Sequence, residues 1–144
     1  MAKKVNLEVI TPSKLFYKGE VRIVICKTLT GEEGFMANHA WACKLLDVGD
    51  LWIQEDESSE FKHAAIAGGY IDVKDSIVIF TDAAEWAADI DMERAMSQKE
   101  SAQAFLDAHG EVDSTNPAEI AEAKVELAKA VTRMNVAARG SNRR

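Results

Sequence analysis

The hydrophobic period of this chain changes once, near residue 88, and that limits the folds open to it. Before that point apolar residues recur at every second position, as in Val5-Asn6-Leu7-Glu8-Val9-Ile10; this is the pattern of a half-buried strand. After it they recur every three or four residues. Met92, Ala95, Met96, Ala102, Phe105 and Leu106 share one helical face, with Lys99 interrupting the stripe. The chain is therefore expected to carry a β domain over residues 1–86 and a helical one over residues 87–144. At the joint stands Glu85-Trp86-Ala87-Ala88-Asp89-Ile90-Asp91-Met92-Glu93-Arg94-Ala95. Asp91 is placed to cap the first helix, with Arg94 one turn inside it. A joint of this kind is a hinge, a binding site, or both. Its acids also have a plainer reading, since helix N-termini favour acids in any case.

In the first part, Val21–Cys26 is short, β-branched and bracketed by Gly19 and Gly31. Leu51–Gln54, Phe61–Ala67, Tyr70–Val73 and Ile77–Thr81 follow as further strands, and Lys74-Asp75-Ser76 has the length and polarity of a hairpin turn. Short strands at near-even spacing predict a β-sandwich in the form of a flattened barrel. In the second part, His109-Gly110 stops one helix and a polar linker runs through Thr115. Asn116-Pro117-Ala118-Glu119 then combines an N-cap, a proline at the first helical position and an acid at the third. Ile120, Ala123, Leu127, Val131 and Met134 stripe the second helix, so the pair is expected to form an antiparallel hairpin. Its seam is thin. Burying a leucine-sized side chain yields about 2 kcal/mol and an alanine far less, so the hairpin is expected to depend on docking to the β domain or to a partner.

With 47% hydrophobic residues, the chain has enough apolar surface for a core in each part. The formal charge of −7 argues against a general nucleic-acid binder, but it is unevenly spread. Six basic side chains against three glutamates give residues 117–144 a net +3, leaving −10 on the first 116. Met1-Ala2-Lys3-Lys4 leads straight into strand alternation rather than a signal-like apolar run. No apolar stretch approaches the roughly 20 residues of a membrane span. The expectation is an intracellular protein with reduced thiols, reaching a membrane only through a partner.

Residue-level chemistry is sparse. Cys26, Cys43, His39 and His63 supply ligand types, and His39 and Cys43 are four apart. Without a Cys-x-x-Cys or His-Glu-x-x-His pattern the two cysteines read as packed core residues and no metal is expected. Neither cysteine sits in an activated nucleophile turn. Gly31-Glu32-Glu33-Gly34 and Gly68-Gly69 lack the Lys-Ser/Thr of a phosphate loop and read as turns between strands. Trp41 and Trp52 read as core or interface residues, while Trp86 lies beside the joint. No acid–base or nucleophile set exists, so an enzyme is not expected.

Four stretches together resemble the epsilon subunit of bacterial F-type ATP synthase, over about residues 5 to 137. They are Leu7-Glu8-Val9-Ile10-Thr11-Pro12, Gly31-Glu32-Glu33-Gly34-Phe35-Met36-Ala37-Asn38-His39-Ala40, Ile66-Ala67-Gly68-Gly69-Tyr70-Ile71-Asp72-Val73, and Ala84 to Asp91 with Arg94-Ala95. The resemblance implies a non-catalytic rotor subunit that couples ion translocation to ATP synthesis at the cytoplasmic face of the cell membrane. It implies docking on the gamma subunit and the rotor c-ring, and helices that extend toward the alpha and beta subunits to inhibit ATP hydrolysis. Glu32, His39, Lys129 and Arg133 are the partner-binding residues it suggests. Ala37-Asn38 stands where the family has Pro-Gly, and asparagine still tolerates the left-handed backbone of such a turn.

Some members of the family bind regulatory ATP through a motif that Ile90-Asp91-Met92-Glu93-Arg94-Ala95 matches, with Glu85 in register. The implied cofactor-binding set is Glu85, Ile90, Asp91, Arg94, Ala95, Lys129 and Arg133, with Arg94 toward phosphate and the carboxylates toward base or ribose. Two positions depart from it. Ser101 stands seven residues after Arg94, where such binders can carry another arginine, and Lys129 replaces one of two arginines on the second helix. Lysine offers a point charge in place of a bidentate fork, so ATP is expected to bind weakly or not at all. The alternative reading, from a different class, is a stand-alone adenine-nucleotide sensor of the same fold.

Overall fold

A computed structural model describes residues 3–109 and 117–141 of the chain. Strands β1 (Val5–Ile10), β2 (Leu15–Val21), β3 (Ile23–Thr28), β4 (Gly31–Met36), β5 (Ala42–Gln54), β6 (Lys62–Val73), β7 (Ile77–Phe80) and β8 (Ala84–Trp86) lead into a single 3-10 turn, Ala87–Asp89. Helices α1 (Met92–His109) and α2 (Pro117–Ser141) complete the fold.

All eight strands belong to one sheet in the order β2-β1-β7-β6-β5-β3-β4, with β8 pairing separately on β6. This corrects the expected flattened barrel. β2 and β4 stand at the two ends of the path and do not pair with each other, so the sheet is open. It bends over its own core without closing. Leu7 and Val9 of β1 and Ile77 and Ile79 of β7 share one buried cluster with Val24 of β3, Phe35 of β4 and Leu51 and Ile53 of β5. The alternation of inward and outward side chains along each strand produces that cluster.

The bend lies in the β5–β6 hairpin. The first half of β6 pairs β8 through Ala64–Ile66, and the second half pairs β7 through Tyr70–Val73. Between them Gly68 and Gly69 take φ of +83° and +117°, which L side chains rarely adopt. These glycines lie inside a strand, where the sequence suggested a turn. Gly31 to Gly34 likewise belong to β4, an edge strand whose glycines and glutamates hide its strand character. The Lys74-Asp75-Ser76 hairpin is present, closed by the Lys74 N–H donating to the Ser76 carbonyl at 2.9 Å. Asn38 adopts φ 65°, the left-handed conformation expected of it.

The helices form the expected pair, but they dock unequally. α2 lies against β5, β6 and the 3-10 turn, whereas α1 packs chiefly on α2. The apolar seam is as thin as the sequence suggested. Ala95 and Ala102 are buried on α1, Ala130 and Val136 on α2, and Met96 remains exposed. The expected helix stop at Gly110, the linker and the Asn116 cap lie outside the described residues.

Candidate functional site

The joint is held from three sides by Arg133. Its Nε donates to Glu85 Oε1 at 2.8 Å and its Nη2 to Glu85 Oε2 at 3.4 Å, while Nη1 donates to Gln98 Oε1 at 2.7 Å. Glu85 lies on β8, Gln98 on α1 and Arg133 on α2, so one guanidinium ties together the sheet and both helices. The arginine side chain is 19% exposed and the glutamate 34%. A planar fork suits this geometry, since it can face a carboxylate and still offer a further N–H elsewhere.

Asp91 performs the capping role read from the sequence. Its Oδ1 accepts from the Arg94 N–H at 3.1 Å, and its carbonyl accepts from the Ala95 N–H at 3.0 Å. The Arg94 side chain is exposed, Ala95 is buried within the helix pair, and Ile90 is half-buried just before the cap. Lys129 pairs with Glu126 along its own helix at 3.7 Å.

A cavity of about 510 Å³ opens beside this junction, lined by Lys14, Phe16, Glu85, Trp86, Lys129 and Arg133 among others. Phe16 and Trp86 stack at 4.4 Å between ring centroids. The lining carries three cations, Lys14, Lys129 and Arg133, and two acids, Glu85 and Asp89, beside this aromatic pair. Glu85, Lys129 and Arg133 of the sequence-derived set converge on this cavity; Ile90, Asp91, Arg94 and Ala95 do not line it. Lys14 and Gln98 were not legible as site residues. Lys14 follows a Thr-Pro-Ser turn far away in sequence, and Gln98 looks like any polar residue on an exposed helix.

The remaining candidates lie elsewhere. Glu32 is exposed on β4, and His39 is half-buried with its ring 4.9 Å from Phe35. Trp41 is 68% exposed and so belongs to no core. Trp52 is half-buried between Phe61 and His63. The two cysteines separate: Cys26 is buried, as expected, but Cys43 is exposed. Cys43 sits on the outward face of β5, which a burial reading from strand composition alone misses. Burial, with a smaller contribution from Glu33, pushes the Cys26 thiol up to about 12. Maleimide on the native chain is therefore expected to modify Cys43 and spare Cys26. Intact mass should show one adduct before denaturation and two after it; double labelling of the native chain would contradict this. Among the described residues no group of three His, Cys, Asp or Glu side chains is placed to hold a metal ion, and no helix is long and apolar enough to cross a membrane.

Comparison with known proteins matches this architecture over nearly its whole length. Residues 4–87 match the family model described as ATP synthase, Delta/Epsilon chain, beta-sandwich domain, and residues 88–138 the one described as ATP synthase, Delta/Epsilon chain, long alpha-helix domain. An ATP synthase epsilon chain from Alkaliphilus metalliredigens is 39% identical over 107 residues, 74% of this chain and 78% of that one. One from Desulforamulus reducens is 36% identical over 138 residues, 95% of this chain and 99% of its own length. Among solved structures, a chain of the Euglena gracilis mitochondrial ATP synthase superposes with a TM-score of 0.76 at 22% identity, covering 90% of this chain and 78% of that chain. A chain of the Tetrahymena thermophila mitochondrial ATP synthase central stalk and c-ring gives 0.61 at 14% identity, covering 94% and 97%.

Proposed function

The chain belongs to the ATP synthase delta/epsilon family, and from that premise we propose that it works in the central stalk as a rotor part whose helix pair is a movable brake on ATP hydrolysis. It is an epsilon-type, non-catalytic subunit. Its sheet docks on the gamma subunit and the c-ring, with Glu32 beside the β3–β4 turn and His39 just past the opposite end of β4. The helices rest on the sheet in one state and extend toward the alpha and beta subunits in the other, where Lys129 and Arg133 meet acidic surface. The subunit thereby sits peripherally at the cytoplasmic face of the membrane.

The observation that carries this reading is the way α2 is held. Its buried apolar side chains among the described residues are Ala130 and Val136 alone, and a single 3-10 turn separates β8 from the Asp91 cap. So little buried apolar surface, gathered behind one short joint, makes undocking inexpensive. Deleting residues from 89 onward is expected to raise ATP hydrolysis by the assembled complex several-fold, measured against the full-length chain in the same preparation; unchanged hydrolysis would sink the inhibitory role.

ATP is a weak ligand of this chain in the same reading. The cavity beside Glu85, Lys129 and Arg133 supports some affinity, but Arg133 already serves Glu85 and Gln98 and would have to give up those bonds to meet a phosphate. Calorimetry on the full chain tests it, and tight binding would show the reading wrong.

A further inference from the structure

We propose that Arg139, Asp50 and Trp52 form an electrostatic latch that fastens the last turn of α2 to the sheet, so that salt and the charge at position 139 set how often the helix pair lifts. The inference rests on the reading of that pair as mobile, and deepens it by assigning what holds it down.

The guanidinium of Arg139 lies over the Trp52 ring, 5.0 Å from its centroid, while Nη1 donates to Asp50 Oδ2. The same carboxylate oxygen accepts from Trp52 Nε1–H at 3.2 Å. Asp50 and Trp52 are two apart on β5 and therefore share one face of the strand. Together they present a ring and an acid to a single incoming cation. Phe61 and His63 hold the ring edge-on, at 5.9 and 4.8 Å between centroids, so the seat is built into the sheet before the helix arrives.

The elements show which partner is fixed: Asp50 stands on β5 and Arg139 on the last turn of α2. The Asp50 side chain is 11% exposed and that of Arg139 44%. The acid is part of the sheet, and the arginine is the removable half. When α2 lifts, Arg139 recovers full hydration while Asp50 keeps the indole N–H. The latch also sits at the pivot. Gly140 packs so closely on the 3-10 turn that a Cβ there would stand 2.7 Å from Ala87 Cβ. Arg139 lies six residues beyond Arg133, about 9 Å along the helix, so the latch acts separately from the junction arginine and its cavity. With few apolar contacts beneath α2, a cation–π contact combined with an ion pair is a substantial share of what holds it. Through the half-exposed Arg139 the pair is partly screened as the Debye length falls from about 8 Å at physiological salt to about 3 Å at 1 M.

The test is hydrogen exchange on the full chain, following amides of residues 130–141 with those of β1 and β7 as the internal reference. Arg139→Gln is expected to speed exchange in residues 130–141 about fivefold and leave the reference unchanged. Arg139→Lys, which keeps the charge but not the planar stack, should fall between. The exchanged pair Asp50→Lys with Arg139→Glu should recover part of the protection. Salt at 1 M should speed exchange more in the wild type than in Arg139→Gln, where the Arg133–Glu85 pair remains to be screened. Wild-type rates in Arg139→Gln, or an acceleration shared equally by β1 and β7, would overturn the latch. ATP hydrolysis by the assembled complex separates this from the inhibitory reading. If exchange responds as expected while the deletion from residue 89 leaves hydrolysis unchanged, the latch stands and the brake falls; the converse pattern leaves the brake and removes the latch.

Discussion

Alanine at position 69 is expected to destabilise the chain by at least about 4 kcal/mol, a large part of the 5–15 kcal/mol a domain of ordinary stability has. Two effects combine. The backbone there takes φ +117°, a conformation essentially reserved for glycine, and an added Cβ would fall 1.9 Å from the Phe80 carbonyl oxygen and 2.9 Å from Thr81 Cα. Those are backbone atoms of β7 and the residue that follows it, so no side chain can swing aside. Relief requires β6 to move away from β7, which would break the pairing of Tyr70 with Phe80 and the stacking of their rings at 4.8 Å. Gly68→Ala is the control. Its Cβ would meet only the Leu46 carbonyl oxygen at 3.4 Å, so its cost should be that of the positive φ alone, roughly 1–2 kcal/mol. Urea unfolding followed by far-ultraviolet dichroism compares the two. Equal midpoints for Gly69→Ala and Gly68→Ala would show that the close approach to Phe80 does not matter. The pair of glycines matters to function because their bend brings β8, and with it Glu85, alongside the first half of β6.

The change of period near residue 88 was enough to place the joint. Asp91 was recognisable as a cap because an N-cap acid acts within four residues of its own position. Strands with one apolar face, such as β1 and β7, were legible for the same reason. Edge strands were not. β2 and β4 bury little on either side, and without a buried face the period-two signal disappears. The path of the sheet was also out of reach, because whether β2 meets β4 depends on how β5 and β6 bend, a property of pairing rather than of any one strand. At the joint, Glu85 and Arg133 could be named through family resemblance, but no local pattern connects residues 48 positions apart. Gln98, Asp50 and Arg139 left no trace at all. Each is an ordinary polar residue until the fold brings its partner to it.

Arg133→Ala is expected to shift the docking equilibrium of the helix pair by about 2 kcal/mol, roughly thirty-fold toward the lifted state. The side chain is mostly buried and donates to a carboxylate and an amide at once, so its charge-assisted bonds are worth more than those of a surface pair. Truncation also leaves Glu85 and Gln98 facing a gap without the cation, which adds a desolvation cost to the lost contacts. The Glu85 side chain is still 34% exposed, and water reaching it limits the effect to about this size. Glu85→Gln should cost less, because the amide oxygen can still accept from Nε and only the charge and the longer Nη2 bond are lost. A crosslink between cysteines placed on β6 and α2, in a background lacking Cys43, measures the docked fraction directly. Full crosslinking in Arg133→Ala would mean that Ala130, Val136 and the turn of α2 at Arg139 hold the helix unaided. If the docked fraction falls as expected, the junction arginine holds the helices down, and any anion that draws it from Glu85 must rebuild the tie between sheet and helices or loosen it.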